Sequence, residues 1–231
     1  MKTAVVTGAM GKALEYTDYT LPTIKQYSEK IGSDYIFIGD NDRKYPEHRP
    51  TYEKYQMQEM LKDYDRLVWI DCDIVVNPDS PNIFDEVPYE KMSALFESPT
   101  YSEHDTKRQH TKNIKKMQDK LGDVGWKSGI FNAGVMVISK PHSIIFEGGF
   151  EKYLPLQNWK WNDQALFNYK RVELNIPFVG LDWKWNAMPY YESPDKMSQA
   201  YFLHFAGKQT KKRWGDYIGI IKEFYGDFYE R

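Results

Sequence analysis

The chain of 231 residues holds one cysteine, Cys72, so no disulfide can close within it and no site built from several cysteine thiolates can hold zinc. An excess of one charge is also missing. The 31 Lys and Arg nearly balance 33 Asp and Glu, and the formal net charge of -2 gives no general attraction to nucleic acid or to an anionic membrane. No apolar run approaches the roughly 20 residues of a transmembrane segment, and the N-terminal MKTAVVTGAMGKA lacks the apolar core of a secretory leader. These absences predict a soluble, cytoplasmic protein without a nucleic-acid partner. A glycine-rich phosphate loop is lacking too: VTGAMGKA contains Gly8 and Gly11, but neither the dinucleotide fingerprint nor the Gly-Lys-Ser/Thr ending of a P-loop. A nucleotide bound here needs another means of neutralising its phosphates, and a divalent cation supplies one.

What is present suits a core. Hydrophobic residues make up 41% of the chain and aromatics 16%, enough for one domain over residues 1–231. TAVVTG reads as a strand. TLPTIKQYSEKIG carries Leu21, Ile24, Tyr27 and Ile31 at helical spacing, with Gly32 as its stop. DYIFIG is a second strand, RPTYEKYQMQEMLKDY a second helix with Tyr55, Met57 and Leu61 inward, and LVWID a third strand. The alternation predicts an α/β, Rossmann-like fold, in which ligands sit outside the carboxyl ends of parallel strands.

At such an end stands RLVWIDCDIVV. In extended backbone, residues two apart face the same side, so Asp71 and Asp73 can share one cation while Cys72 turns away. Asp-x-Asp occurs three times, also at Asp40/Asp42 and Asp63/Asp65. Asp63 and Asp65 lie where a helical period breaks down before the strand and read as a solvated turn. Asp40 and Asp42 open the polar, breaker-rich NDRKYPEHRP. Only Asp71 and Asp73 are flanked by apolar runs on both sides, which rigidify a site and exclude water.

Downstream, SALF precedes an irregular span containing Lys107, Arg108, Lys112, Lys115, Lys116 and Lys120, which reads as a solvated helix face, with an anionic-acceptor surface or a lid as alternatives. FNAGVMVIS is a strand closed by Pro141. Helices through HSIIFEGGFEKYL and WNDQALFNYKR, strands PFVGL and YFLHFAG, the aromatic LDWKWNAM and the tail GDYIGIIKEFYGDFYE complete the chain.

Lys54, YDRLVWIDCDIVV, FNAGVMVIS, NDQALFN and HFAGK, in this order over roughly residues 3–214, resemble the family-8 retaining glycosyltransferases of the glycogenin and lipopolysaccharide galactosyltransferase type. The resemblance implies the GT-A fold, with a mixed, mainly parallel central sheet. It implies that Asp71, Asp73 and His204 hold Mn2+ or Mg2+ on the diphosphate of a nucleotide sugar, an imidazole favouring Mn2+. Gly207 would let backbone approach the phosphates, and Lys208 and Lys212, with Lys211 as a further candidate, would bind them. Thr7, Gly8, Lys54 and Cys72 would join the donor site, Asn132, Ala133 and Gly134 would line the sugar, and Asp163 and Gln164 would lie beneath it as the catalytic pair. Taken by themselves, His204 reads as a satisfied core residue and NDQ as a helix cap.

The sequence departs from the family at three points: HFAGKQTKKRW offers Lys208, Lys211 and Lys212 where the family has one lysine near the end of HxxGxxKPW, no tyrosine near Leu14 or Tyr16 clearly matches the one that stacks on uracil, and the sugar-recognising aspartate between the acidic pair and FNAG has no secure counterpart. UDP as the carrier is therefore implied by resemblance alone. The acceptor, whether glycan, lipid-linked or protein, is not encoded legibly, and a homodimer is compatible with the sequence. Two other readings remain. IDCDIV also fits a haloacid-dehalogenase-like phosphatase with Asp71 as nucleophile, Asp73 as acid/base and Mg2+, although no downstream Asp-Asp or GDxxxD-like cluster follows a strand. A non-catalytic sugar-nucleotide-binding module would use the many aromatic rings for stacking.

Overall fold

The computed structural model describes residues 1–97, 109–150, 162–189, 192–206 and 217–229. Its strands are β1 (Thr3–Gly8), β2 (Asp34–Ile38), β3 (Arg66–Ile70), β4 (Ile74–Val76), β5 (Met92–Phe96), β6 (Phe131–Ser139), β7 (Phe178–Gly180) and β8 (Phe202–His204). The helices are α1 (Thr17–Lys30), α2 (Met57–Asp63), α3 (Ile83–Glu86), α4 (Gln109–Leu121), α5 (Asn162–Glu173), α6 (Pro194–Met197) and α7 (Tyr217–Tyr229). Six strands form one sheet in the order β2-β1-β3-β6-β5-β7, and β4 pairs with β8 in a separate ribbon. β1 runs parallel to β2 and β3, and β5 parallel to β7, while β6 is antiparallel to β3 and β5. This is the mixed, mainly parallel α/β sheet that the alternating pattern predicts.

Both faces of the inner strands β1, β3, β6 and β5 are covered, which is why they read as apolar runs, whereas the edge strands β2 and β7 stay partly exposed. Ala4, Val6, Leu67, Trp69, Met136 and Ile138 point into a core shared with α2, α4 and α5. Their neighbours Val5, Val68, Ile70, Val135 and Val137 point into a second core with α1, Trp185 and Phe202. A third cluster joins Val75 and Leu203 of the ribbon to Ile220, Ile221 and Phe224 of α7. Among the described residues, no helix is long and apolar enough to cross a membrane.

Local differences from the sequence expectations have physical causes. The second helix is in two pieces, a 3-10 stretch Pro50–Gln56 followed by α2. In 3-10 winding, residues three apart eclipse, so Tyr52 and Tyr55 both reach Phe150, with ring centroids at 4.3 and 5.0 Å. Tyr55, Met57 and Leu61 are buried as their spacing predicts. The stretch beginning KPHSIIF is likewise a 3-10 helix, Lys140–Phe146, and is followed by Gly148 and Gly149 at φ values of 71° and 58° that only glycine adopts without strain. Most consequentially, Asp71, Cys72 and Asp73 are not strand: β3 ends at Ile70, β4 starts at Ile74, and the acidic residues form the turn between them.

Candidate metal and donor site

The acidic turn is fixed from both sides. Asp71 N–H donates to Gly134 O of β6 at 2.8 Å, and Phe205 N–H donates to Asp73 O at 2.9 Å. The ribbon then brings in a distant residue, because Ile74 lies opposite His204 in the β4–β8 register. His204 Nε2 stands 3.2 Å from Asp73 Oδ1 and 4.0 Å from Asp71 Oδ2. One ligand atom from each of Asp71, Asp73 and His204 falls within 4.8 Å of the others, a group able to hold one metal ion. The two carboxylates thus share a side because the turn folds them over the imidazole, and not through the alternation of an extended strand.

The two oxygens of Asp71 are differentiated. Oδ1 accepts from Trp69 Nε1 at 2.6 Å and faces Lys54 Nζ at 3.1 Å, which leaves Oδ2 towards His204. Lys54 also meets Asp163 Oδ2 at 3.3 Å. Burial by itself would lower the Lys54 pKa, but the charges of Asp71 and Asp163 outweigh it and push it up to about 12. The buried ammonium therefore ties the acidic turn to the start of α5.

His204 is oriented from behind. Its Nδ1 is 2.7 Å from Asn186 Oδ1, and Asn186 Nδ2 donates to Asn132 Oδ1 at 3.1 Å. An amide oxygen accepts, so Nδ1 carries the proton and the Nε2 lone pair is left for the acidic side, the arrangement common behind metal-binding histidines. Burial acts to lower the imidazole pKa, yet Asp73 and then Asp71 raise it overall, an electrostatic attraction that a cation would also feel. The close approach requires a missing side chain. A Cβ on Gly134 would lie 2.4 Å from His204 Cε1 and 2.8 Å from Asn132 Oδ1. Gly134→Ala is therefore expected to displace the imidazole and weaken Mn2+ binding about 10- to 100-fold, measured by calorimetry; unchanged affinity would disprove the cradle.

The other predicted residues divide between those brought together here and those outside the described residues. Asn132 lies on β6 beside Gln164 of α5, with Nδ2 to Oε1 at 3.5 Å. Asn168 docks α5 on β6 by exchanging hydrogen bonds with the Phe131 backbone, each 2.9 Å. Ala133 is buried in β6. Thr7 and Gly8 end β1 at the same edge of the sheet, and the buried Thr7 Oγ1 has no hydrogen-bond partner among the described residues. Burial raises the Tyr35 hydroxyl to about 12 with a smaller contribution from Cys72, which places that thiol near β2. Gly207, Lys208, Lys211 and Lys212 lie outside the described residues, as do Lys107 and Arg108. Lys112, Lys115, Lys116 and Lys120 are exposed on α4, in keeping with a solvated face.

The rival Asp-x-Asp pairs have structural roles. Asp42 Oδ2 accepts from Gly39 N–H at 2.9 Å, and Asp65 Oδ2 accepts from Lys2 N–H at 2.7 Å. Sequence reasoning assigned no role to Trp69, Glu97, Asn168 or Asn186. A buried asparagine inside the aromatic LDWKWNAM was the available signal for Asn186, since buried amides must be paired.

The profile of glycosyl transferase family 8 matches residues 19–217. The chain belongs to that family. It is a glycosyltransferase, and the phosphatase and non-catalytic readings are not favoured. Solved structures agree on the fold. A glycosyltransferase involved in glycosylation of the major capsid of PBCV-1 shares 17% identity at a TM-score of 0.64, with 96% of this chain and 100% of that chain covered. The galactosyltransferase LgtC, solved in complex with donor and acceptor sugar analogs, shares 15% identity at a TM-score of 0.59, covering 98% of this chain and 96% of its own. WbbM, a bifunctional glycosyltransferase, shares 15% identity at 0.61, with 99% of this chain but 50% of that one covered. These likenesses identify the GT-A fold in this family 8 protein. No curated protein sequence matches the chain.

Proposed function

We propose that this family 8 protein is a metal-dependent hexosyltransferase of one domain. It would move a sugar from a nucleotide donor, with UDP as the expected carrier, to an acceptor hydroxyl with retention of anomeric configuration. The observation that carries the proposal is the Asp71–Asp73–His204 group at the carboxyl edge of the sheet, with Asn132 and Gln164 beside it on β6 and α5. The donor set of two carboxylates and one imidazole suits Mn2+, with Mg2+ as the alternative.

A divalent ion bound by these three side chains would stabilise the charge that develops on the departing diphosphate. The chain's own residues then have distinct tasks. Asn186 keeps the His204 Nε2 lone pair towards the acidic turn, and Trp69 and Lys54 keep Asp71 Oδ1 occupied so that Oδ2 faces the cation. Asn132 and Gly134 line the sugar, and Asp163, held by Lys54, fixes the first turn of α5 below it. Gln164 places an amide oxygen, a poor nucleophile, where positive charge grows on the ring. Retention puts the acceptor on the face from which the diphosphate leaves, so a diphosphate oxygen can take the acceptor's proton and no separate protein base is required.

Retention is tested by proton NMR of the product. The anomeric coupling of the transferred sugar is expected to match that of the donor, and an inverted product would exclude the assignment. The donor is to be sought by thermal shift with Mn2+ across a panel of sugar nucleotides, since a ligand that binds only the folded chain raises its melting temperature.

A further inference from the structure

Glu97 is the residue immediately after β5, and its backbone N–H is anchored on Ile130 O at 2.6 Å, just before β6 begins. Its Oε2 accepts from Gln164 Nε2 at 2.6 Å. The opposite end of that amide, Oε1, meets Asn132 Nδ2 at 3.5 Å. The sense of these contacts is fixed by chemistry. Gly134 N–H, a backbone donor that cannot reverse, points at Asn132 Oδ1 at 2.8 Å, so Asn132 must turn its NH2 the other way, towards Gln164. A 3.5 Å contact constrains weakly, whereas a short bond to a carboxylate constrains strongly. An amide can present either end to a neighbour, but a carboxylate offers acceptors only. Glu97 therefore decides which end of Gln164 faces which way.

We propose that Glu97 is a positioning residue for sugar transfer: by accepting from Gln164 Nε2 it holds the Gln164 carbonyl oxygen on the Asn132 side, towards the reacting sugar. The inference rests on the reading of Gln164 given under the proposed function. It assigns Glu97 no contact with the cation. The Asn132–Asn186–His204 series is already oriented by Gly134 N–H, so metal binding should not depend on Glu97.

The test uses the full chain with Mn2+ and the UDP-sugar that releases UDP fastest among UDP-glucose, UDP-galactose, UDP-xylose and UDP-N-acetylglucosamine. Glu97→Met keeps the length of the side chain but removes the acceptor, and is expected to lower kcat about 10- to 100-fold with little change in donor KM. Glu97→Gln loses the charge but can still present an amide oxygen, so it should retain activity to within about fivefold. Calorimetric affinity for Mn2+ and UDP should stay within about twofold in both variants if Glu97 acts on orientation alone. Glu97→Met in a Gln164→Ala background should cost nothing beyond Gln164→Ala alone. Equal losses in the Met and Gln variants would assign the effect to charge and overturn positioning, as would loss of Mn2+ and UDP binding in Glu97→Met. A Gln164→Ala enzyme at wild-type rate removes the Gln164 reading and this inference with it. A slow Gln164→Ala beside an unimpaired Glu97→Met overturns this inference alone.

Discussion

Asp73→Ala is expected to abolish the Mn2+-dependent part of UDP binding and to lower turnover about 100- to 1000-fold, the range seen when one preorganised electrostatic contact to a developing charge is removed. The reason is geometric. Asp73 Oδ1 is the carboxylate oxygen nearest His204 Nε2, at 3.2 Å, and its backbone is held in the turn by Phe205 N–H, so alanine removes a ligand without unfolding the turn. Calorimetry with UDP in the presence and absence of Mn2+ separates the two contributions. Wild-type affinity should depend steeply on the ion and variant affinity should not. UDP binding that is equally tight with and without Mn2+ in the wild-type chain would refute the metal seat.

Lys54→Met is expected to carry the largest stability loss. Lys54 is buried between Asp71 and Asp163, at 3.1 and 3.3 Å, and methionine preserves its stem while removing its charge. Breaking a buried ion pair by deleting one partner typically costs about 3–5 kcal/mol, because the other partner keeps its desolvation penalty. For a chain of this size each kcal/mol corresponds to about 2–4 °C, so the melting temperature should fall by roughly 6–20 °C. The wild-type chain has an alkaline limit. The Lys54 pKa is raised on folding from 10.5 to about 12, so its contribution is fully present below about pH 10.5 and is lost as pH rises through about 12. A melting temperature within a degree or two of wild type would show that the two carboxylates do not need the ammonium.

Much of this architecture is legible in local patterns. The runs TAVVTG, RLVWI and FNAGVMVIS appear as β1, β3 and β6, because strands buried on both faces must be apolar nearly throughout, and DYIFIG appears as β2, a half-exposed strand at the sheet edge. The inward residues Tyr55, Met57 and Leu61 hold their places even though much of their segment winds as 3-10 helix, since burial constrains which side faces the core more tightly than it constrains the hydrogen-bond pattern. The acidic pair is legible by its apolar flanks, although the reason for its convergence is a turn and not extended backbone. The partners of the pair are less visible. His204 resembles any core histidine until β8 pairs with β4, and Lys54 resembles any helix-face lysine until Asp163 arrives from the start of α5.

The sequence by itself determined the strands and the apolar faces that cover the sheet, together with the candidate ligands Asp71 and Asp73, because periodicity and flanking burial act over a few neighbouring residues. The tertiary structure decided that Asn186 stands behind His204, that Glu97 grips Gln164, and that Gly134 must lack a side chain. Each of these depends on contacts between segments far apart in the chain, and a hydrogen bond or a steric clash acts only across a few ångströms of space, whatever the separation in sequence.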